Sequence, residues 1–305
     1  MAPWYQRVQA WALRQVFDHI VLGKPGYDVP ASDCGREELR SIPTRQGEVS
    51  ALFHWPEAHQ GLLPVYAYLH GGGFVFGRAR HEAVFCRRVA AQAHCLVVNI
   101  DYARAPQWPF PTALQQCYDA VAWIASNAPA LGLDARRIAV GGTSAGGNLT
   151  AGICAMAKQD GGPAICLQVL DNPALDLARD PRQKRARIAK PLLTPALCEL
   201  FNACYVPRAA DRSVPLASPL QATAAELADQ PPALVITAEY DLLRDEGDAY
   251  AEKLREAGVQ VHHEVFSGVD HFFTHTGPSQ PAEAAWQLIH GALRQAFQQA
   301  GVCES

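Results

Sequence analysis

Gly142-Thr143-Ser144-Ala145-Gly146 stands between an apolar run, residues 137–142, and a stretch of helical spacing that begins at Ala145. A serine held in a sharp strand-to-helix turn presents its hydroxyl above the sheet. Helix and strand approach so closely there that only glycine fits two residues before and after it. The free N–H groups and positive dipole end of the helix behind Ser144 favour an anion developing at that point. Nucleophilic attack by Ser144 is the chemistry this arrangement suits. A capping serine in a glycine-rich turn has the same local look, so the decision rests on what else the chain carries. A phosphate loop does not fit, because Gly147 and Asn148 occupy the places of its Lys and Ser/Thr.

His70-Gly71-Gly72-Gly73-Phe74 directly follows the apolar run 64–69. Consecutive glycines let the backbone turn its N–H groups toward a point that side chains would otherwise block. Acyl transfer creates an oxyanion, and each well-aimed donor is worth roughly 3–4 kcal/mol to it. By itself such a segment reads as a flexible turn; together with the serine turn it reads as an oxyanion loop.

A serine nucleophile of this kind also needs an acid and then a histidine, in that chain order. After the apolar run 233–238 come Glu239, Asp241 and Asp245, three candidate acids within one short stretch. After the run 259–266 come Asp270 and His271, placed in a turn, whereas His262 and His263 fall inside the strand and alternate faces. His275 lies four residues on, but the pair lacks the intervening Glu of a zinc-protease helix. The other histidines read as surface or packing residues.

The elements around these motifs alternate. Residues 48–55, 64–70, 95–101, 137–142, 165–171, 233–238 and 259–266 read as strands. Helices are expected over 80–93, after Pro111, over 145–158, 245–257 and 281–299, with an amphipathic helix over 4–21. Apolar strand, helix and apolar strand in turn indicate an α/β fold: a mostly parallel sheet covered on both faces. The rhythm breaks over 178–215, where one helix, 195–205, is expected in a stretch rich in Pro, Arg and Ala. An interruption of that length is usually an inserted lid or a wandering loop. Its basic run, Arg182, Lys184, Arg185, Arg187 and Lys190, reads as a solvated edge.

Composition narrows the classes further. At 305 residues and 49% hydrophobic, the chain can bury a core without disulfide or metal staples. A formal charge of −4 argues against a dedicated nucleic-acid binder, and no apolar run is long enough to span a bilayer. Nine scattered cysteines with no C-x-x-C pair match neither a zinc ribbon nor a redox motif. The first residues are interrupted by Arg7 and Arg14 and do not read as a secretory signal, so a cytoplasmic location is expected.

With residues 70–74, 142–148, 241–247 and 268–273 in this order, the chain resembles the hormone-sensitive lipase family of bacterial esterases, a branch of the α/β-hydrolases. The resemblance runs from about Tyr66 to Thr274. It implies Ser144 as nucleophile, Asp241 as acid, His271 as base, and the N–H groups of Gly71, Gly72 and Ala145 as the oxyanion hole. Asp241 also sits in the loop between Glu239, still fixed by its strand, and Asp245, which opens a helix. The resemblance implies a helical cap as well. Residues 1–45 would supply N-terminal cap helices and 178–215 a cap insertion, over a catalytic domain of 46–177 and 216–305. Thr143 before the serine matches the GTSAG branch. Residues 101–107 resemble the family's DYRLAPE, but Ala103 and Gln107 replace its Arg and Glu, and Leu242 replaces a usual Pro.

The activity implied is that of a serine carboxylesterase for short- to medium-chain acyl esters, with no metal or organic cofactor. On family grounds a homodimer through an edge strand or the cap also fits. An amidase or deacetylase would use the same residues and is separated by relative rates on matched esters and anilides. Plant gibberellin receptors share the fold without turnover, but they lack the histidine that stands here as His271.

Overall fold

The computed structural model describes residues 3–18, 25–29 and 34–302. Eight strands form one sheet: β1 (Arg36–Ile42), β2 (Val49–Trp55), β3 (Leu63–Leu69), β4 (Leu96–Asp101), β5 (Leu133–Thr143), β6 (Leu167–Asp171), β7 (Ala233–Ala238) and β8 (Val261–Phe266). Their order across the sheet is β1-β2-β4-β3-β5-β6-β7-β8. The β1–β2 and β2–β4 pairs are antiparallel and every other neighbouring pair is parallel.

The helices are α1 (Trp4–Val16), α2 (Ala83–Ala93), α3 (Thr112–Leu131), α4 (Ala145–Asp160), α5 (Pro195–Tyr205), α6 (Ala224–Leu227), α7 (Arg244–Glu256), α8 (Phe273–Thr276) and α9 (Ser279–Val302). All seven residues of β3 are buried, as a central strand covered on both faces requires. Val65, Ala67 and Leu69 join one apolar cluster with Leu114 and Val121 of α3 and Leu149 of α4. Tyr66 and Tyr68, one pleat over, join Phe85 of α2 and Trp286 and Ile289 of α9 in the other. Both faces of the sheet are thereby sealed, and the ends of β3, β5, β7 and β8 open toward one edge.

Three places differ from the sequence reading. Residues 36–42 were expected among the N-terminal cap helices; they form strand β1, paired along its whole length with β2. That strand alternates charged residues with little apolar content and is mostly exposed, so its extended form comes from the free edge of β2. The expected helix over 4–21 is described to Val16 as α1, and residues 19–21 lie outside the described residues, as does Cys303. The basic run is not uniformly solvated. Arg182 is exposed and pairs with Asp180 at 2.6 Å, but Lys184 is buried. Its ammonium pairs with the buried Glu246 carboxylate and donates to Asp176 O at 3.0 Å. An interior carboxylate is what draws that lysine inward. Helix α5 forms where expected and α1 packs against it. Among the described residues no helix is long and apolar enough to cross a membrane.

Candidate active site

Ser144 directly follows β5 and caps α4 with φ +57° and ψ −112°, a conformation that a bulky residue holds only where the surroundings demand it. The demand is steric and hydrogen-bonded together. A Cβ on Gly146 would stand 2.0 Å from Leu69 O, and one on Gly142 2.3 Å from the same atom. Ser144 N–H donates to Asp171 O at 2.8 Å, which ties the turn to the end of β6.

The loop after β8 brings His271 to this serine. His271 Nε2 lies 3.0 Å from Ser144 Oγ, and Nδ1 lies 2.8 Å from Asp241 Oδ2. Asp241 follows β7 and is fixed by Leu243 N–H, which donates to Oδ1 at 2.9 Å. A carboxylate can only accept, so Nδ1 carries the ring proton and Nε2 is left to accept from the serine hydroxyl. Burial, the largest single influence, pushes the His271 pKa down, but the Asp241 carboxylate, helped by Asp270 and Asp171, outweighs it and leaves the ring more basic than an ordinary histidine. The other two candidate acids are engaged elsewhere. Glu239 accepts Gly268 N–H at 2.7 Å, and Asp245 pairs at the surface with Arg187 at 2.7 Å.

The glycine turn crosses the same space, though not in the expected register. Gly71 N–H donates to Glu82 Oε1 at 3.1 Å, so the first glycine serves the interior. Gly72 and Gly73, with φ of +115° and +58°, line the cavity beside Ser144 instead. Among the described residues neither of their N–H groups has a partner. Ala145, in the first turn of α4, adds an N–H of the kind no helix satisfies internally. Gly73 replaces Gly71 as a candidate donor, because Glu82 claims the latter.

The cavity in front of Ser144 is about 140 Å³ and mostly apolar. Phe76 and Phe201 in its wall meet edge to face, with ring centres 5.4 Å apart. Leu193 and Leu197, from 178–215, and Phe17, beyond α1, close its outer side. Among the described residues no group of three or more His, Cys, Asp and Glu side chains is arranged to hold a metal ion.

A family model described by the alpha/beta hydrolase fold matches residues 66–275. The chain belongs to this family. Carboxylesterase NlhH of Mycobacterium tuberculosis is 37% identical over 241 residues, 78% of this chain and 72% of that protein. The ethyl acetate hydrolase of Pseudomonas putida is 37% identical over 261 residues, 84% of this chain and 81% of its own. Among solved structures, the hyperthermophilic esterase of Pyrobaculum calidifontis superposes with a TM-score of 0.85 at 36% identity. That alignment covers 94% of this chain and 91% of the other.

Beneath the turn, this α/β-hydrolase carries a buried polar chain that motif reading did not single out. Glu82 accepts from Gly71 N–H, Tyr68 OH at 2.5 Å and stands 3.3 Å from His275 Nε2. Tyr68 OH also meets Thr143 Oγ1 at 3.1 Å, and Thr143 Oγ1 donates to Asp171 Oδ2 at 2.9 Å. Thr274 Oγ1 donates to the same Asp171 oxygen at 2.7 Å. Burial pushes Glu82 up, but His275 and its other donors more than offset this and hold it below the ordinary range. Asp171 goes the other way, raised chiefly by burial. The pair links both glycine-bearing turns to the His271 loop. The available sequence signal was a carboxylate and a histidine in apolar surroundings, and nothing local says that they meet.

Proposed function

We propose that this α/β-hydrolase is a serine carboxylesterase of the GTSAG branch, acting on short- to medium-chain acyl esters through an acyl-enzyme. The observation that carries the reading is the unbroken hydrogen-bonded line from Ser144 Oγ through His271 to Asp241, opening on an apolar cavity. In the first half-reaction, His271 Nε2 takes the Ser144 proton as Oγ attacks the ester carbonyl carbon. The carbonyl electron pair moves onto oxygen, where the N–H groups of Gly72, Gly73 and Ala145 receive it. Collapse expels the alkoxide, which takes the proton from His271 and departs as alcohol. Water then gives its proton to His271, attacks the acyl carbon and releases the acid, and Ser144 regains its proton.

The names of the relatives, a carboxylesterase and an ethyl acetate hydrolase, support ester substrates with small groups. The cap of this reading consists of α1 with Phe17 and Asp18 and the 178–215 insertion, whose leucines and Phe201 bound the cavity. Cys34 apart, the described cysteines stand as thiols, most of them buried, which supports a reducing, cytoplasmic setting. Strands β1 and β8 are the open edges at which two copies could pair. A chain-length series of chromogenic acyl esters on purified protein, with matched anilides and Ser144→Ala, tests the reading. Faster turnover of anilides than of esters would replace it with an amidase.

A further inference from the structure

Helix α1 and the two residues after it make polar contacts with the far limb of the glycine turn and with residues 104–107 beside it. Arg14 Nε donates to Val75 O at 2.8 Å, and Arg14 Nη2 donates to Ala105 O at 2.6 Å. Asp18 is buried; its Oδ1 accepts Gly77 N–H at 2.8 Å and its Oδ2 accepts from Arg104 at 3.0 Å. Arg104 Nη1 also donates to Gly77 O at 2.9 Å, so Asp18 and Arg104 between them hold both backbone polar groups of Gly77. Phe17 stacks on Phe76 with ring centres 4.4 Å apart and planes within 11°. Residues 75–77 are thus gripped in succession.

That limb lies directly against the glycines. Val75 N–H and Phe76 N–H both donate to Gly72 O at 3.0 Å. A Cβ on Gly72 would stand 2.2 Å from Phe76 O, and one on Gly77 2.5 Å from Gly71 O. No slack separates the gripped residues from Gly72 and Gly73. A shift of the limb must therefore turn those N–H groups.

We infer that Asp18 and Arg14 are positioning residues for the oxyanion turn, so that docking of the N-terminal helix sets the aim of the Gly72 and Gly73 N–H groups. The inference rests on the proposed role of those groups in ester hydrolysis. Arg104 stands where the family pattern named above has Leu. The N-terminal helix is then more than a wall of the pocket. Through Arg14 and Asp18, which do not line the cavity, it contributes to stabilising the transition state.

Because the hole acts on the transition state and not on the bound ester, its misalignment lowers kcat and leaves KM nearly alone. Asp18→Ala is expected to lower kcat per titrated active site about 10- to 100-fold, the scale of a misplaced group about 1 Å from its proper position. KM for a butyrate ester is expected to stay within about threefold. Binding of a trifluoromethyl ketone, whose adduct places an oxyanion in the hole, should weaken in proportion to kcat/KM. Active sites are counted with a fluorophosphonate, so that a loss of folded protein does not register as a loss of kcat. Arg14→Gln leaves the buried Asp18–Arg104 pair in place and decides the matter if Asp18→Ala does not fold. It is expected to act in the same direction with a smaller fall, about 3- to 10-fold. Unchanged kcat per site in the folded variants, or a loss carried by KM, overturns the inference. Ser144→Ala separates the two levels: its normal turnover would sink the esterase reading itself, whereas silence there with intact kcat in both clamp variants sinks only the clamp.

Discussion

Asp241→Asn tests the acid assignment through the hydrogen-bond donors that surround it. In the native protein, Oδ1 accepts from Leu243 N–H at 2.9 Å and Oδ2 faces His271 Nδ1 at 2.8 Å. An asparagine amide has one oxygen, and Leu243 N–H claims it, since the reverse orientation would set an NH₂ group against a backbone donor. The NH₂ then faces His271 Nδ1 and forces that nitrogen to accept. The ring proton moves to Nε2, where it points at Ser144 Oγ and cannot receive another. The expected loss is about 10⁴ in kcat, or about 5 kcal/mol of transition-state stabilisation. The fold is kept, because the side chain is nearly isosteric and the Leu243 bond survives. The acid limb of kcat/KM should also move to lower pH, since the carboxylate that raises the His271 pKa is gone while burial remains. The assay is initial rates on a butyrate ester per titrated site, from pH 5 to 9, with thermal melts alongside. Asp245→Asn is the control. Its surface pair with Arg187 predicts a cost of about 1 kcal/mol or less and no loss of turnover. Activity of Asp241→Asn within tenfold of native, or silence of Asp245→Asn, would refute the reasoning.

Ser144→Ala should abolish ester hydrolysis and fluorophosphonate labelling while the melting curve stays cooperative; labelling that persists would identify another nucleophile. In the native enzyme, kcat/KM should rise with pH through a single apparent pKa above 6.5, because His271 must be neutral to take the serine proton and Asp241 holds its pKa up; a flat profile from pH 5 to 8 contradicts this. Activity should fall steeply for acyl chains beyond about ten carbons, since each buried CH₂ adds only about 0.8 kcal/mol and cannot offset a clash with the Leu193–Phe201 wall; a preference for long-chain emulsions would show the cavity to be open-ended. Lys184→Ala should destabilise the protein by about 3–5 kcal/mol in urea unfolding, because it strands the buried Glu246 carboxylate; a change below about 1 kcal/mol would mean that the pair is not shielded from water.

Much of this molecule is written locally in its chain. Strands β3, β4 and β7 are legible because a parallel strand covered on both faces must be apolar at nearly every position. Ser144 and His271 are legible for a related reason: a tight turn after a strand demands glycines at fixed offsets, and those offsets survive in the sequence whatever lies around them. The acid was narrower but not unique, with Glu239, Asp241 and Asp245 all within reach of a strand end. Tertiary structure separates them by giving Gly268 N–H to the first and Arg187 to the last.

What the chain alone did not disclose depends on which distant segments meet. Gly71, Gly72 and Gly73 are identical in type and adjacent, so no local rule says which N–H faces the cavity; Glu82, on a different element, decides by accepting from Gly71. Strand β1 has no apolar alternation of its own and becomes extended because β2 offers it a free edge. Lys184 carries the composition of a solvated run and is drawn inside by Glu246, far along the chain. Asp18 and Arg104 likewise carry no local sign of their pairing, which exists only once the N-terminal helix lies across the glycine turn. Backbone geometry constrains neighbours in sequence and can be read from them; the partner of a buried charge is chosen by the packed fold, since only there is the alternative, water, removed.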